Sequence, residues 1–270
     1  MLRTMTDLKQ YTIGASDGTI GSVKDLYFDD EKWVIRYFVV ATEDWLSSRR
    51  VLISPMAIDH PNWAARVLSV SITRDQVRSS PDVDTDKPVS RQHEMHYLGY
   101  YGYPYYWGGR GLWGMASTPA MMVSSFGYGG TDAAYRREQA EKARLEAEAD
   151  AERNKNADHH LRSCTTVMTY HLHASDGDIG HVEDFLVDEE TWAIRYMVVN
   201  TSNWWMGHQV LVAPQGIAGI DWDDNIVSVD LTRDAVRKAP TYEAGMQVSR
   251  DEEIAIFEHH GKRGYWHDGT

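Results

Sequence analysis

Histidine is the residue type whose placement most invites a chemical reading. Nine of the 12 histidines fall in the second half: His159, His160, His171, His173, His181, His208, His259, His260 and His267. On a strand, the His171-x-His173 spacing turns both rings to one face, as a metal site needs. Ligand or metal sensing by these histidines is therefore one reading. Against it, no cysteine or carboxylate completes a recognisable ligand spacing. The favoured expectation is a polar, pH-sensitive surface with no metal.

The remaining reactive types read more plainly. Asp-Gly-x-Ile-Gly, at Asp17–Gly21 and again at Asp176–Gly180, could cradle a phosphate. Its surroundings are acidic and no Lys-Ser/Thr follows, so a tight turn is the better reading. Asp17, Asp25, Asp29, Asp30 and Glu31 could gather a hard cation. They sit on different turns without calcium-loop spacing, which makes them a solvated acidic face. Cys164 is the only cysteine and has no base beside it. Ser16 and Ser175 adjoin turn aspartates. No nucleophile–base pair emerges, so no catalytic residue, no cofactor and no enzymatic activity are expected.

The elements that hold these residues are laid down twice. Shifted by about 159 residues, Leu2–Trp107 lies over Leu161–Trp266 without a gap, and roughly 42 of about 106 positions are identical. The counterparts of His171 and His173 are Thr12 and Gly14. Cys164 falls on Met5 and reads as a small apolar filler. Each copy alternates short apolar runs with turn signals. Asp17-Gly18 marks a hairpin, Ile20–Phe28 an extended stretch, Trp33–Val40 a central strand, and Leu68, Val70 and Ile72 a half-buried strand. Thr73 and Thr232 can cap short helices that stop before Pro81 and Pro240. Gln76 completes a capping box with Thr73, and Glu252 completes one with Ser249. Ser90 caps the matching helix of the first copy, with Gly99 as its stop.

The pattern ASDGxIGxVxD, an acidic turn, W-x-IRY-x-VV and VL-[IV]-x-P resembles the PRC-barrel family. The motif residues are Asp17, Gly18, Ile20, Gly21, Val23, Asp25 and Asp29. They recur as Asp176, Gly177, Ile179, Gly180, Val182, Asp184 and Asp188. That family is a small β-barrel, described first in the cytoplasmic domain of the photosynthetic reaction-centre H subunit. It also forms the C-terminal domain of a ribosome-maturation factor. The likeness is strongest to bacterial proteins that carry two such domains and have no assigned role. It implies a mainly β chain of two tandem small barrels, each with a short helical tail, and it implies docking to other macromolecules. An accessory role at a reaction-centre-type membrane complex is the alternative it suggests.

The expected boundaries are a first barrel over residues 1–107, a linker over 108–158 and a second barrel over 159–270. The linker reads in two parts. Gly99–Gly130 is rich in Gly, Tyr, Trp and Met. Thr131–Asn156 has i,i+4 pairs such as Glu138–Lys142 and Arg144–Glu148. That pattern predicts a polar, solvated helix of roughly 35–40 Å. Trp33, Trp45, Trp63 and Trp107 recur in the second copy and read as parts of the fold. Trp113 and Trp205 do not recur. Residues that the shared fold does not require are the candidate interface: Tyr100, Tyr101, Tyr103, Tyr105, Tyr106, Trp113, Met121, Met122 and Trp205.

Charge narrows the partners. A net charge of −13 disfavours nucleic acid and bare anionic lipid. No run of about 18 apolar residues suggests a membrane span, and no apolar leader precedes Leu2. A lone cysteine suits a reducing compartment. The expectation is a cytoplasmic, non-enzymatic binding or scaffold module whose partners are itself, as a homodimer, and an unidentified protein.

Overall fold

The computed structural model describes residues 1–42, 46, 49–81, 89–125, 160–201 and 208–267. The charged stretch over 131–156 and Trp205 lie outside these. The chain is mainly β, with two sheets. The first half runs β1 (Leu2–Thr4), α1 (Met5–Leu8), β2 (Thr12–Ala15), β3 (Gly18–Asp29), β4 (Val34–Thr42), β5 (Arg50–Ile53), β6 (Ile58–Asn62), β7 (Val67–Val70), α2 (Arg74–Arg78), α3 (Arg91–Tyr101) and α4 (Pro119–Ser125). The second half runs β8 (Leu161–Ser163), α5 (Cys164–Val167), β9 (His171–Ala174), β10 (Gly177–Asp188), β11 (Ile194–Asn200), β12 (Gln209–Val212), β13 (Ile217–Asp221), β14 (Ile226–Val229), α6 (Arg233–Lys238), β15 (Thr241–Tyr242) and α7 (Arg250–His259).

The two sheets share one strand order. The first is β6-β7-β2-β3-β4-β5, and the second is β13-β14-β9-β10-β11-β12 with β15 added beside β12. β2 pairs in parallel with β7, and β9 with β14, while the other neighbours in these paths are antiparallel. Among the described residues neither ladder closes on itself. In the first sheet the end strands β5 and β6 are separated by a 3-10 turn at Pro55–Ala57, where Pro55 offers no N–H to a ladder.

The hairpin motif does three mechanical jobs. Gly18 and Gly177 turn with φ of 140° and 135°, which a side chain would resist. Gly21 and Gly180 lie against the next strand. A Cβ there would stand 2.0 Å from the Ala41 carbonyl oxygen and 1.9 Å from that of Asn200. Asp17 and Asp176 reach across to the following helix. Their Oδ1 atoms accept from Arg74 N at 2.8 Å and Arg233 N at 2.7 Å.

The predicted caps form. Thr73–Gln76 and Ser249–Glu252 are capping boxes, and Thr232 and Ser90 cap their helices. One stop moves: α3 runs through Gly99 and ends at Gly102, which takes the left-handed conformation at φ 72°. Trp33 and Trp192 do not open strands. They sit in the β3–β4 and β10–β11 turns at φ 56° and 60°, with their N–H groups donating to Asp29 and Asp188 carbonyls at 2.8 Å.

The chain divides into two compact units, Lys9–Arg162 and Met1–Leu8 with Ser163–Thr270. The first strand of each repeat is thus exchanged. β1 pairs antiparallel with β10, placing Leu2, Arg3 and Thr4 opposite Asp188, Val187 and Leu186. β8 in turn pairs with β3. β9 covers β10 only from Gly177 to His181, so β1 fills the same edge further along. No described helix is long and apolar enough to cross a membrane.

Candidate functional site

The Lys9–Arg162 unit is organised around three buried charged side chains, Arg36, Asp29 and Glu94. Arg36 on β4 is enclosed completely, and Asp29 at the end of β3 takes its guanidinium through Nη2 at 2.8 Å and Nε at 3.2 Å. The other Asp29 oxygen accepts from Glu31 N at 2.9 Å and Lys32 N at 3.0 Å. Burial pushes this carboxyl up. The Arg36 charge and hydrogen bond, the Lys32 N–H and nearby His160 outweigh that and hold it below its ordinary value. The guanidinium carbon lies 3.9 Å from the centre of the Tyr106 ring and 4.7 Å from that of Trp113.

A second buried acid collects the hydroxyls. Glu94 on α3 accepts from Tyr37 at 3.1 Å and from Tyr106, both on Oε2. On Oε1 it meets His160 Nε2 at 2.7 Å and Arg91 at 3.3 Å. Arg91 also lies 4.3 Å from the Trp107 ring centre. Burial, reinforced by the Glu94 charge, pushes the Tyr37 and Tyr106 hydroxyls well up, so they stay protonated donors.

The same constellation recurs 159 residues on. Arg195 binds Asp188 at 3.1 Å and lies 3.9 Å from the Tyr265 ring centre. Glu253 accepts from Tyr196 at 3.0 Å and Tyr265 at 2.8 Å, and pairs with Arg250 at 2.8 Å. Arg250 in turn lies 4.4 Å from the Trp266 ring centre. Tyr265 is pushed up to about 12 by burial and by Glu253. Chemically, this arrangement holds charge and orders aromatic rings. The sequence reading missed it. Its signal was the identity of Arg36, Tyr37, Arg91, Glu94, Tyr106 and Trp107 with their partners across the repeat.

The aromatic segment divides around this cluster. Tyr103, Tyr106, Trp113 and Met122 are buried within the Lys9–Arg162 unit, with Trp113 at 0 % exposure. Lys32 Nζ secures the segment by donating to the carbonyls of Gly109 at 2.7 Å and Gly111 at 2.5 Å. Tyr101 and Tyr105 are half-buried. Of the expected interface residues, Tyr100 at 40 % and Met121 at 54 % face solvent, together with Met115 at 86 %. The physical reason is that Arg36 and Glu94 need rings over them, and the nearest sequence supplies those rings.

The motif carboxylates serve the backbone. Oδ1 of Asp25 accepts from Leu26 N, and Oδ1 of Asp184 from Phe185 N, both at 2.8 Å beside a bulge. The second-half histidines scatter. His171 stands opposite His181, His173 pairs with Asp178 at 2.9 Å, and His259 meets the Ala235 carbonyl at 2.7 Å. Burial, with His259 beside it, pulls His260 down to about 4. Among the described residues no group of three or more His, Cys, Asp or Glu is placed to hold a metal ion. Cys164 is buried.

Comparison with known proteins bears on the first half. A protein of Deinococcus radiodurans named only as uncharacterized is 38 % identical over 77 residues, which is 28 % of this chain. The match spans about a quarter of that protein's length, 27 %. The family model of the PRC-barrel domain matches residues 5–78. That span contains the hairpin motif, Asp29, Arg36 and Tyr37 but ends before Glu94, Tyr106 and Trp113. The chain therefore carries a PRC-barrel domain, over residues 5–78.

Proposed function

We propose that this chain is a non-enzymatic protein-binding or scaffold module of two tandem PRC-like barrels, working in the cytoplasm as a homodimer. One observation carries the reading. The recurring clusters around Asp29, Arg36 and Glu94, and around Asp188, Arg195 and Glu253, are turned inward on themselves, whereas Tyr100, Met115 and Met121 are left facing solvent. These exposed side chains lie beyond the family's matched span and have no identical partner in the other copy. Large apolar groups left in water favour a protein surface to cover them.

Light scattering on the purified chain and on Met115→Asp/Met121→Asp tests this. The unaltered chain is expected at the mass of two copies and the double variant at one. The reading fails if the unaltered chain is monomeric and affinity capture from its native host finds no protein that the double variant loses.

A further inference from the structure

The exchange of first strands is reciprocal, and equivalent residues make it on both sides. Arg3 Nε reaches Glu189 at 2.9 Å, and Arg162 Nε reaches Asp30 at 2.8 Å. The Met1 carbonyl accepts from Glu189 N, and the His160 carbonyl from Asp30 N, both at 3.0 Å. Each pair is the other shifted by the repeat spacing. A three-residue strand has few ladder bonds of its own, so a side-chain anchor and a flanking backbone bond at its outer end hold it in register. The acceptor needs the strand as much. Without β1, Leu186–Asp188 would present an open edge beyond the reach of β9, and Leu186 is a core residue against which Leu2 packs.

We infer that the two halves are complementary half-molecules: each repeat has an acceptor edge, on β3 or β10, built for the first strand of a second copy of the repeat. The tandem chain is then a strand-exchanged pair joined by its linker, and the linker is dispensable for holding the halves together. This stands whether or not the intact chain dimerises through its exposed methionines.

The test uses the full chain with a protease site inserted within residues 131–156, and with Cys164 replaced by Ala. One variant adds Arg3→Cys/Val187→Cys, residues that face each other across the exchanged ladder. A second adds Arg3→Cys/Phe28→Cys, which the repeat spacing would place opposite each other if each strand stayed with its own half. After oxidation of the folded protein and then cleavage, the first variant should run as one species on a denaturing gel, and reduction should split it. The second runs as two fragments in either case, so its cross-link is read by thiol titration of the denatured protein, which should find both cysteines free. Without added cysteines, the cleaved chain should elute as the intact one does under native conditions. Cross-linking in Arg3→Cys/Phe28→Cys in place of Arg3→Cys/Val187→Cys would overturn the inference. So would two separately eluting fragments that both keep their β-sheet circular dichroism. The gel readout stands even if cleaved material aggregates, because the cross-link forms before the cut.

Discussion

Trp113 shows how a single side chain can be functional in appearance and structural in place. Its absence from the other copy marks it as an interface candidate, yet it is enclosed beside Arg36 and Tyr106. Trp113→Ala should cost about 3–5 kcal/mol, read as a lower urea midpoint with unchanged slope. Asp29 gives the pH counterpart. Its folded carboxyl lies below the ordinary value of 3.8, so it binds a proton less readily folded than unfolded. Its stabilisation is therefore whole above about pH 4 and drains away as pH falls through the folded value. Arg36→Met removes the cation and leaves burial, which pushes the carboxyl up. That variant should lose about 3–5 kcal/mol near neutral pH and begin its acid decline at higher pH, measured by urea unfolding across a pH series. Asp29 was legible from the sequence as an acidic turn residue. Its buried partner was not, because an arginine inside an apolar strand reads as a surface residue until the rings that cover it are located.

At the scale of elements, local chemistry was legible and closure was not. The Asp-Gly dipeptide, the capping threonines and serines, and the alternating strands all act within a few residues, where sequence neighbours are spatial neighbours. The second motif glycine acts across strands instead. Gly21→Ala should lose at least about 3 kcal/mol, since the nearest atom to the new methyl is a strand carbonyl rather than a movable side chain. Gly219→Ala, with nothing within 4 Å of its Cβ, should stay within about 0.5 kcal/mol. Equal melting temperatures for the two variants would contradict this account. α3 running past Gly99 to Gly102 follows the same logic. An open site such as Gly99 tolerates a helical glycine, and the helix stops where the left-handed turn is made.

At the scale of the whole molecule, the far ends of the sequence are linked through the sheets. Deleting Leu2–Thr4 should destabilise the unit built from Ser163–Thr270. Amide exchange at Glu189, whose N–H is bonded to the Met1 carbonyl, should quicken by about tenfold or more, with Asp30, whose N–H is bonded to the His160 carbonyl, holding its protection. Faster exchange at Asp30 and none at Glu189 would mean that the first strand stays with its own half. The sequence by itself determined a duplicated, mainly β chain with its hairpin motif, its caps and the PRC-barrel likeness, because periodicity and turn chemistry are properties of neighbouring residues. Only the tertiary structure decided that Arg36 and Glu94 anchor buried aromatic clusters, that Trp113 closes one of them, and that the first strands change places. Two near-identical strands fit either acceptor equally well in a one-dimensional comparison, and only the tertiary pairing of β1 with β10 and of β8 with β3 tells which edge each one reaches.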